Sequence, residues 1–227
     1  MFPIKCEGKT KLDGFKEHGF LPSGLVNYLV TLGWSPKEGS EVLSLKELTE
    51  MFQLKSVVSG GANFDLEKLK WYNHKHIQAA SNEYLVDELQ ALSVLAQKTN
   101  KERLKEAVGM VKERANTISE LWVLLEYLFF DPKKYDEKSM KKIKKDGLDK
   151  ICSEIISLCE NTDLTAGFIE SLKVWGEKNG FGAAQIMMTT RAVLVGGLSG
   201  IDLQKIVSFI GLENVSQRTK VFVEKHI

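Results

Sequence analysis

Four prolines and three cysteines are all that 227 residues carry of the two types that most constrain a backbone. So few prolines exclude collagen-like and polyproline architectures and leave long stretches free to be helical. Cys6, Cys152 and Cys159 form no paired framework, and Cys152 and Cys159 would share a helix face as small packing groups. Zinc would need closer spacing and a fourth ligand, which His18, His74, His76 and His226 do not supply. His74 and His76 would point in different directions on a helix. No apolar run approaches the roughly 20 residues that cross a bilayer, and no signal-peptide core opens the chain. The default location is therefore cytoplasmic, with no membrane partner. A net charge of +1 gives no global attraction for nucleic acid, although local clusters can supply one.

Alternating strand patterns and internal repeats are nearly absent as well. Nucleotide-loop, nucleophile-elbow and zinc-protease motifs are missing, and Gly60-Gly61 and Gly196-Gly197 read as turns. Carboxylates are plentiful but sit beside lysines at helix-surface spacing, such as Glu102 with Lys105.

What is present is helical punctuation. Gly19-Phe-Leu-Pro-Ser-Gly-Leu-Val-Asn-Tyr-Leu-Val-Thr-Leu-Gly-Trp34 reads as one helix started by Pro22, striped by Leu25, Tyr28, Leu29 and Leu32, and closed by a left-handed Gly33. Ahead of it, residues 1–18 are weakly patterned, with turns at Gly8 and Gly14 and a minor strand near Ile4. Ser44 and Glu47 form a capping box, Asp65 caps Leu66–Ile77, Asn100 caps the helix of Leu104, Val108 and Val111, and Thr117 with Glu120 forms a second box. From Ser81 the pattern is almost continuously helical. Leu121–Phe130 is apolar nearly all round and belongs in a core. Asp163 is placed to cap Leu164–Trp175, and later helices fall near Ala183–Val195, Leu203–Ile210 and Val215–His226. The fold class is all-α: an elongated arrangement of about ten helices in two to three subdomains. Boundaries fall at 1–80, 81–140 and 141–227.

Positive charge collects in three places. Lys101, Lys105 and Lys112 share one helical face, Arg103 and Arg114 another, and Lys133–Lys145 is lysine-rich. Interleaved Glu102, Glu106 and Glu113 break any continuous groove, so composition alone favours an ordinary solvated surface.

The strings themselves carry more. The opening stretch, then Ser44-Leu-Lys-Glu-Leu48, then Ala62-Asn-Phe-Asp-Leu-Glu-Lys-Leu-Lys-Trp-Tyr-Asn-His74 resemble, in that order, the bacterial-type glutamyl-tRNA synthetases. In that family the first of them lies just beyond the catalytic domain. Val111-Lys-Glu-Arg-Ala-Asn-Thr-Ile118 and Gln185-Ile-Met-Met-Thr-Thr-Arg-Ala-Val-Leu-Val-Gly196 resemble its later anticodon-binding segments. The resemblance implies tRNA as partner, with Arg114 and Arg191 at the anticodon loop and Lys173 where an arginine can stand. Ser199 and Gly200 would lie near the wobble base, Gly200 replacing a hydroxyl residue. Lys68, Lys70, Lys101 and Lys105 would meet stem phosphates.

Such contacts make physical sense, because unstacked bases present edges that an arginine fork can read. The family's His-x-Gly-His and Lys-x-Ser-Lys motifs do not occur, so ATP and Mg²⁺ belong to the parent enzyme and this chain alone would not catalyse. The resemblance implies a monomer. The alternative reading is a stand-alone helical RNA- or protein-interaction module derived from the same region.

Overall fold

The computed structural model describes residues 14–36, 41–58, 60–143, 146–161 and 165–227. The strand expected near Ile4, Cys6, Lys144, Lys145 and the cap expected at Asp163 lie outside the described residues. Among these the chain is all-α, with no strand. The helices are α1 (Pro22–Thr31), α2 (Leu45–Met51), α3 (Leu66–Ala79), α4 (Asn82–Leu92), α5 (Val94–Gln97), α6 (Lys101–Val111), α7 (Ile118–Phe129), α8 (Glu137–Lys142), α9 (Leu148–Asn161), α10 (Phe168–Lys178), α11 (Ala183–Val195), α12 (Leu203–Ile210) and α13 (Leu212–His226). None is long and apolar enough to cross a membrane. The chain divides into two compact units, Met1–Val123 and Leu124–Ile227, with the division inside α7.

Most helix starts follow local side-chain chemistry. Ser44 accepts from Glu47 N at 3.2 Å while the Glu47 carboxylate accepts from Ser44 N at 2.7 Å, closing the capping box. Those bonds hold the Glu47 carboxyl below its usual range. Asp65, Ser81, Asn100 and Asp202 cap α3, α4, α6 and α12 in the same way. The second expected box is only half formed. Thr117 Oγ1 accepts from Glu120 N, but the Glu120 carboxylate reaches Asn116 N and Nδ2 at 2.8 and 2.9 Å. A residue with a backbone and an amide donor together outcompetes one backbone N–H.

In the first unit α1 packs on α3, and α4 on α6. The buried face of α1 is Leu21, Gly24, Asn27 and Tyr28, whereas Leu29, expected inside, is 47% exposed. Polar partners turn the helix this way. Asn27 is wholly buried because Oδ1 accepts from Leu43 N and His76 Nε2, and Nδ2 donates to Glu41 O. Burial pulls the His76 pKa below its ordinary value, consistent with a neutral ring donating from Nε2. Gly33 is not left-handed. Leu32 keeps right-handed helical angles at the end of α1, and Gly33 O accepts from Val58 N at 2.8 Å. Among the described residues of this unit the left-handed glycine is Gly19, at φ +81°, whose carbonyl accepts from Ile118 N at 2.8 Å.

In the second unit α9 packs on α13, and α11 contacts α9, α10 and α13. Ile151, Cys152 and Ile155 face inward on α9, and burial pushes the Cys152 thiol up to about 12 and Cys159 to about 11. They are packing groups, inert as nucleophiles near neutral pH. α7 is less enclosed than its sequence suggests. Leu121, Leu125 and Leu128 are buried, but Val123 is 69% exposed. Among the described residues thirteen α-helices replace the expected ten or so because long patterns split: Ser93 ends α4 and caps α5.

At Gly24 α1 lies close against α3, since a Cβ there would lie 2.8 Å from Asn73 Oδ1 and 2.9 Å from Asn73 Cα. Gly24→Ala should therefore destabilise the first unit by about 1–3 kcal/mol through overpacking, despite alanine's better helix propensity. Thermal unfolding would show a fall of roughly 3–10 °C; an unchanged transition would mean that the two helices separate freely.

Candidate nucleic-acid interface

α6 stops at Val111, and the next three residues, Lys112–Arg114, form a 3₁₀ turn leading into extended Ala115. This break takes Arg114 out of register with Arg103, so the expected common face does not form. The turn is instead laid along α3. Lys112 Nζ donates to Ala80 O at 3.1 Å, Gln78 Nε2 to Glu113 Oε2 at 2.6 Å, His74 Nδ1 meets Ala115 O at 2.8 Å, and Asn73 Nδ2 donates to Asn116 O at 2.5 Å. Successive positions of the turn thus meet α3 in antiparallel order. Arg114 itself is exposed, on a backbone held from both sides.

The four lysines expected at stem phosphates all face protein carboxylates. Lys68 is 4.0 Å from Glu41 and lies over the Tyr72 ring, and Lys70 is 2.9 Å from Glu67. Lys101 is 2.5 Å from Asp87, and Lys105 pairs with Glu83. The basic face of α6 therefore turns toward α4, and Lys105 leaves Glu102 for a residue on the neighbouring helix. Exposed pairs of this kind contribute about 0–1 kcal/mol, so a phosphate can compete for any of them.

The remaining predicted residues belong to the second unit. Arg191, Ser199 and Gly200 come together where α11 ends. Arg191 NH1 donates to Ile201 O at 2.7 Å, and Ile201 N donates to Tyr127 Oη at 3.3 Å. Gly200 sits at φ +148°, where a Cβ would lie 3.1 Å from Arg191 NH1 and 3.2 Å from Tyr127 Oη. A hydroxyl residue at 200 would be strained by this backbone conformation, and its Cβ would need the ends of Arg191 and Tyr127 to give by a few tenths of an ångström. Ser199 is exposed beside it. Lys173 is on α10, which packs against α11, with its ammonium 3.3 Å from Glu170 one turn away.

Sequence reasoning missed Arg218. Its side chain is 3% exposed, yet Nε donates to Asp131 at 2.9 Å and NH1 to Tyr127 O at 2.7 Å and Leu194 O at 2.8 Å. One guanidinium therefore joins the C-terminal ends of α7 and α11 from α13, fixing the elements that carry Tyr127 and Arg191. Burial draws its pKa down while Asp131 opposes the shift. The signal was available: Val215, Arg218, Thr219 and Phe222 follow the i, i+3, i+4, i+7 spacing of a buried stripe, with an arginine inside it. Arg218→Met should cost about 2–4 kcal/mol in denaturant unfolding, because two buried carbonyls lose their donor. Asp131→Asn should cost under about 1 kcal/mol, since Asp131 is 60% exposed. Equal costs would shift the role to the ion pair.

No group of three or more His, Cys, Asp or Glu placed to hold a metal occurs among the described residues.

The model of the anticodon binding domain matches residues 65–223, and that of the catalytic domain of class I tRNA synthetases for E and Q matches residues 5–71. The opening stretch thus falls within the reach of the catalytic-domain model rather than beyond it. The two matches meet in α3. A glutamate–tRNA ligase of Christiangramia forsetii is 35% identical over 99% of this chain and 46% of its own length. That of Flavobacterium johnsoniae is 37% identical over 96% and 44%. A crystal structure of a glutamate tRNA ligase from Elizabethkingia meningosepticum, in complex with its amino acid, superposes with a TM-score of 0.83 at 30% identity, over 95% of this chain and 43% of that one. The chain spans less than half the length of the curated relatives it matches. Matched over more than half of its own residues by that domain model, the chain belongs to the anticodon-binding domain family, in the form found in the glutamate–tRNA ligases it resembles along nearly its full length.

Proposed function

We propose that this chain does the tRNA-positioning work of a glutamate–tRNA ligase, in the cytoplasm and as a monomer. Residues 1–80 would meet the inner stem, 81–140 and 141–227 the anticodon arm. The whole enzyme would activate glutamate with ATP and Mg²⁺ and pass it to the terminal ribose of glutamate tRNA. The observation that carries this reading is that the anticodon-binding match, residues 65–223, contains both Arg114, beside which Ala115 O and Asn116 O are held by His74 and Asn73, and Arg191, whose guanidinium is oriented by Ile201 O. Anticodon bases expose their pairing edges when unstacked, and an arginine fork on a fixed backbone reads such edges with little loss of entropy. Lys173, Ser199 and Gly200 would complete the contacts in the second unit. Lys68, Lys70, Lys101 and Lys105 would trade their carboxylates for phosphates, positioning the RNA without reading it.

Binding of this chain to a glutamate tRNA transcript should fall steeply with salt. Arg114→Ala and Arg191→Ala should each weaken it by about 1–3 kcal/mol and relax discrimination against other tRNAs. Single alanine changes at the four lysines should cost less and lower the salt slope by about 1 each. Equal binding of all tRNAs, insensitive to either arginine, would sink the reading. Circular dichroism of Arg191→Ala separates lost contact from a loosened loop.

A further inference from the structure

Asn73 and His74 are adjacent on α3, and both spend their side chains on the backbone that leaves Arg114. Asn73 is wholly buried. Its orientation follows from its partners: Leu21 N can only donate, at 2.7 Å to Oδ1, and Asn116 O can only accept, at 2.5 Å from Nδ2. His74 Nδ1, at 2.8 Å from Ala115 O, must likewise be the protonated ring nitrogen, because a carbonyl cannot donate. Two residues on, Gly19 O accepts from Ile118 N at 2.8 Å. Residues 115, 116 and 118 are therefore each held by a group from the Gly19–His74 region. A glycine at 24 leaves the room Asn73 needs.

We propose that Asn73 and His74 are positioning residues for Arg114: they set the backbone from which its guanidinium approaches the tRNA, and touch no RNA themselves. The proposal rests on the reading of Arg114 as a tRNA contact. It gives a physical task to Trp71-Tyr-Asn-His74 that core packing alone does not require. Packing would accept a leucine at 73 or a phenylalanine at 74, but neither could donate to a carbonyl beside Arg114. The two bonds act on consecutive carbonyls, so they fix the direction in which the chain leaves the 3₁₀ turn. A rotation there would swing a long side chain by several ångströms at its tip while leaving the phosphate-facing lysines where they are.

The test measures affinity of the 227-residue chain for a glutamate tRNA transcript at fixed salt, and its dependence on salt. Arg114→Ala alone should weaken binding roughly tenfold. His74→Leu and Asn73→Ser should each weaken it roughly fivefold with an unchanged salt slope, and by less than about twofold once Arg114 is already alanine. His74→Asn, whose amide nitrogen takes the place of Nδ1, should restore affinity to within about twofold of the parent. Equal losses with and without Arg114 would overturn the positioning role and leave the tRNA reading intact. No loss from Arg114→Ala alone would overturn both. Should Asn73→Ser fail to fold, the His74 pair decides, since His74 is only half buried.

Discussion

An amide taken wholly out of water must have both ends used, and Asn73 meets that constraint by joining segments far apart in the chain. Its oxygen takes the N–H of Leu21 and its nitrogen serves the carbonyl of Asn116, 52 and 43 positions away. Leaving either group unpaired in the interior would cost about 1–3 kcal/mol. The start of α1, the middle of α3 and the approach to α7 are thus settled by one side chain. Gly24 is small because Asn73 lies against it, and Gly19 is left-handed where its carbonyl receives the first N–H of α7. The turn bearing Arg114 inherits its geometry from these contacts.

The second unit solves a similar problem with a cation. Arg218 gathers carbonyls from the ends of α7 and α11, where unpaired oxygens and the helix dipoles favour positive charge. Asp131 is the exposed member of the group, so the carbonyls carry most of the arrangement's stability. Arg191 lies less than a turn before Leu194 on α11, and Gly200 lies beside Tyr127, so both neighbour that joint. Of the arginines proposed to read bases, Arg114 stands beside backbone held by α3 and Arg191 has its guanidinium on Ile201 O, whereas the four lysines proposed for phosphates, all in the first unit, stand in exposed, exchangeable pairs. This is the division expected of a surface that reads with a few rigid groups and holds with many soft ones.

Helix type and start were plain in the sequence wherever chemistry is local. Ser44, Asp65 and Asn100 cap the helices expected of them because each needs only its own next turn, and the ordered motifs sufficed to name the family. The inward face of α1 was misjudged because apolar spacing favours Leu29, whereas the buried Asn27 depends on Glu41, Leu43 and His76. The box at Thr117 was half right for the same reason. Glu120 chose between neighbours that differ by one extra donor, which no spacing rule ranks.

Arg114, Arg191 and Gly200 could be pointed to by resemblance, but what holds them could not. Composition, caps and periodicity determined an all-helical chain and the places where its helices begin. Only the tertiary structure decided that Asn73 and His74 stand behind Arg114, that Arg218 joins α7 to α11, and that each lysine proposed to meet the stem already has a carboxylate. Local rules act over a turn or two of backbone, whereas the satisfaction of a buried amide or guanidinium is settled between residues tens of positions apart.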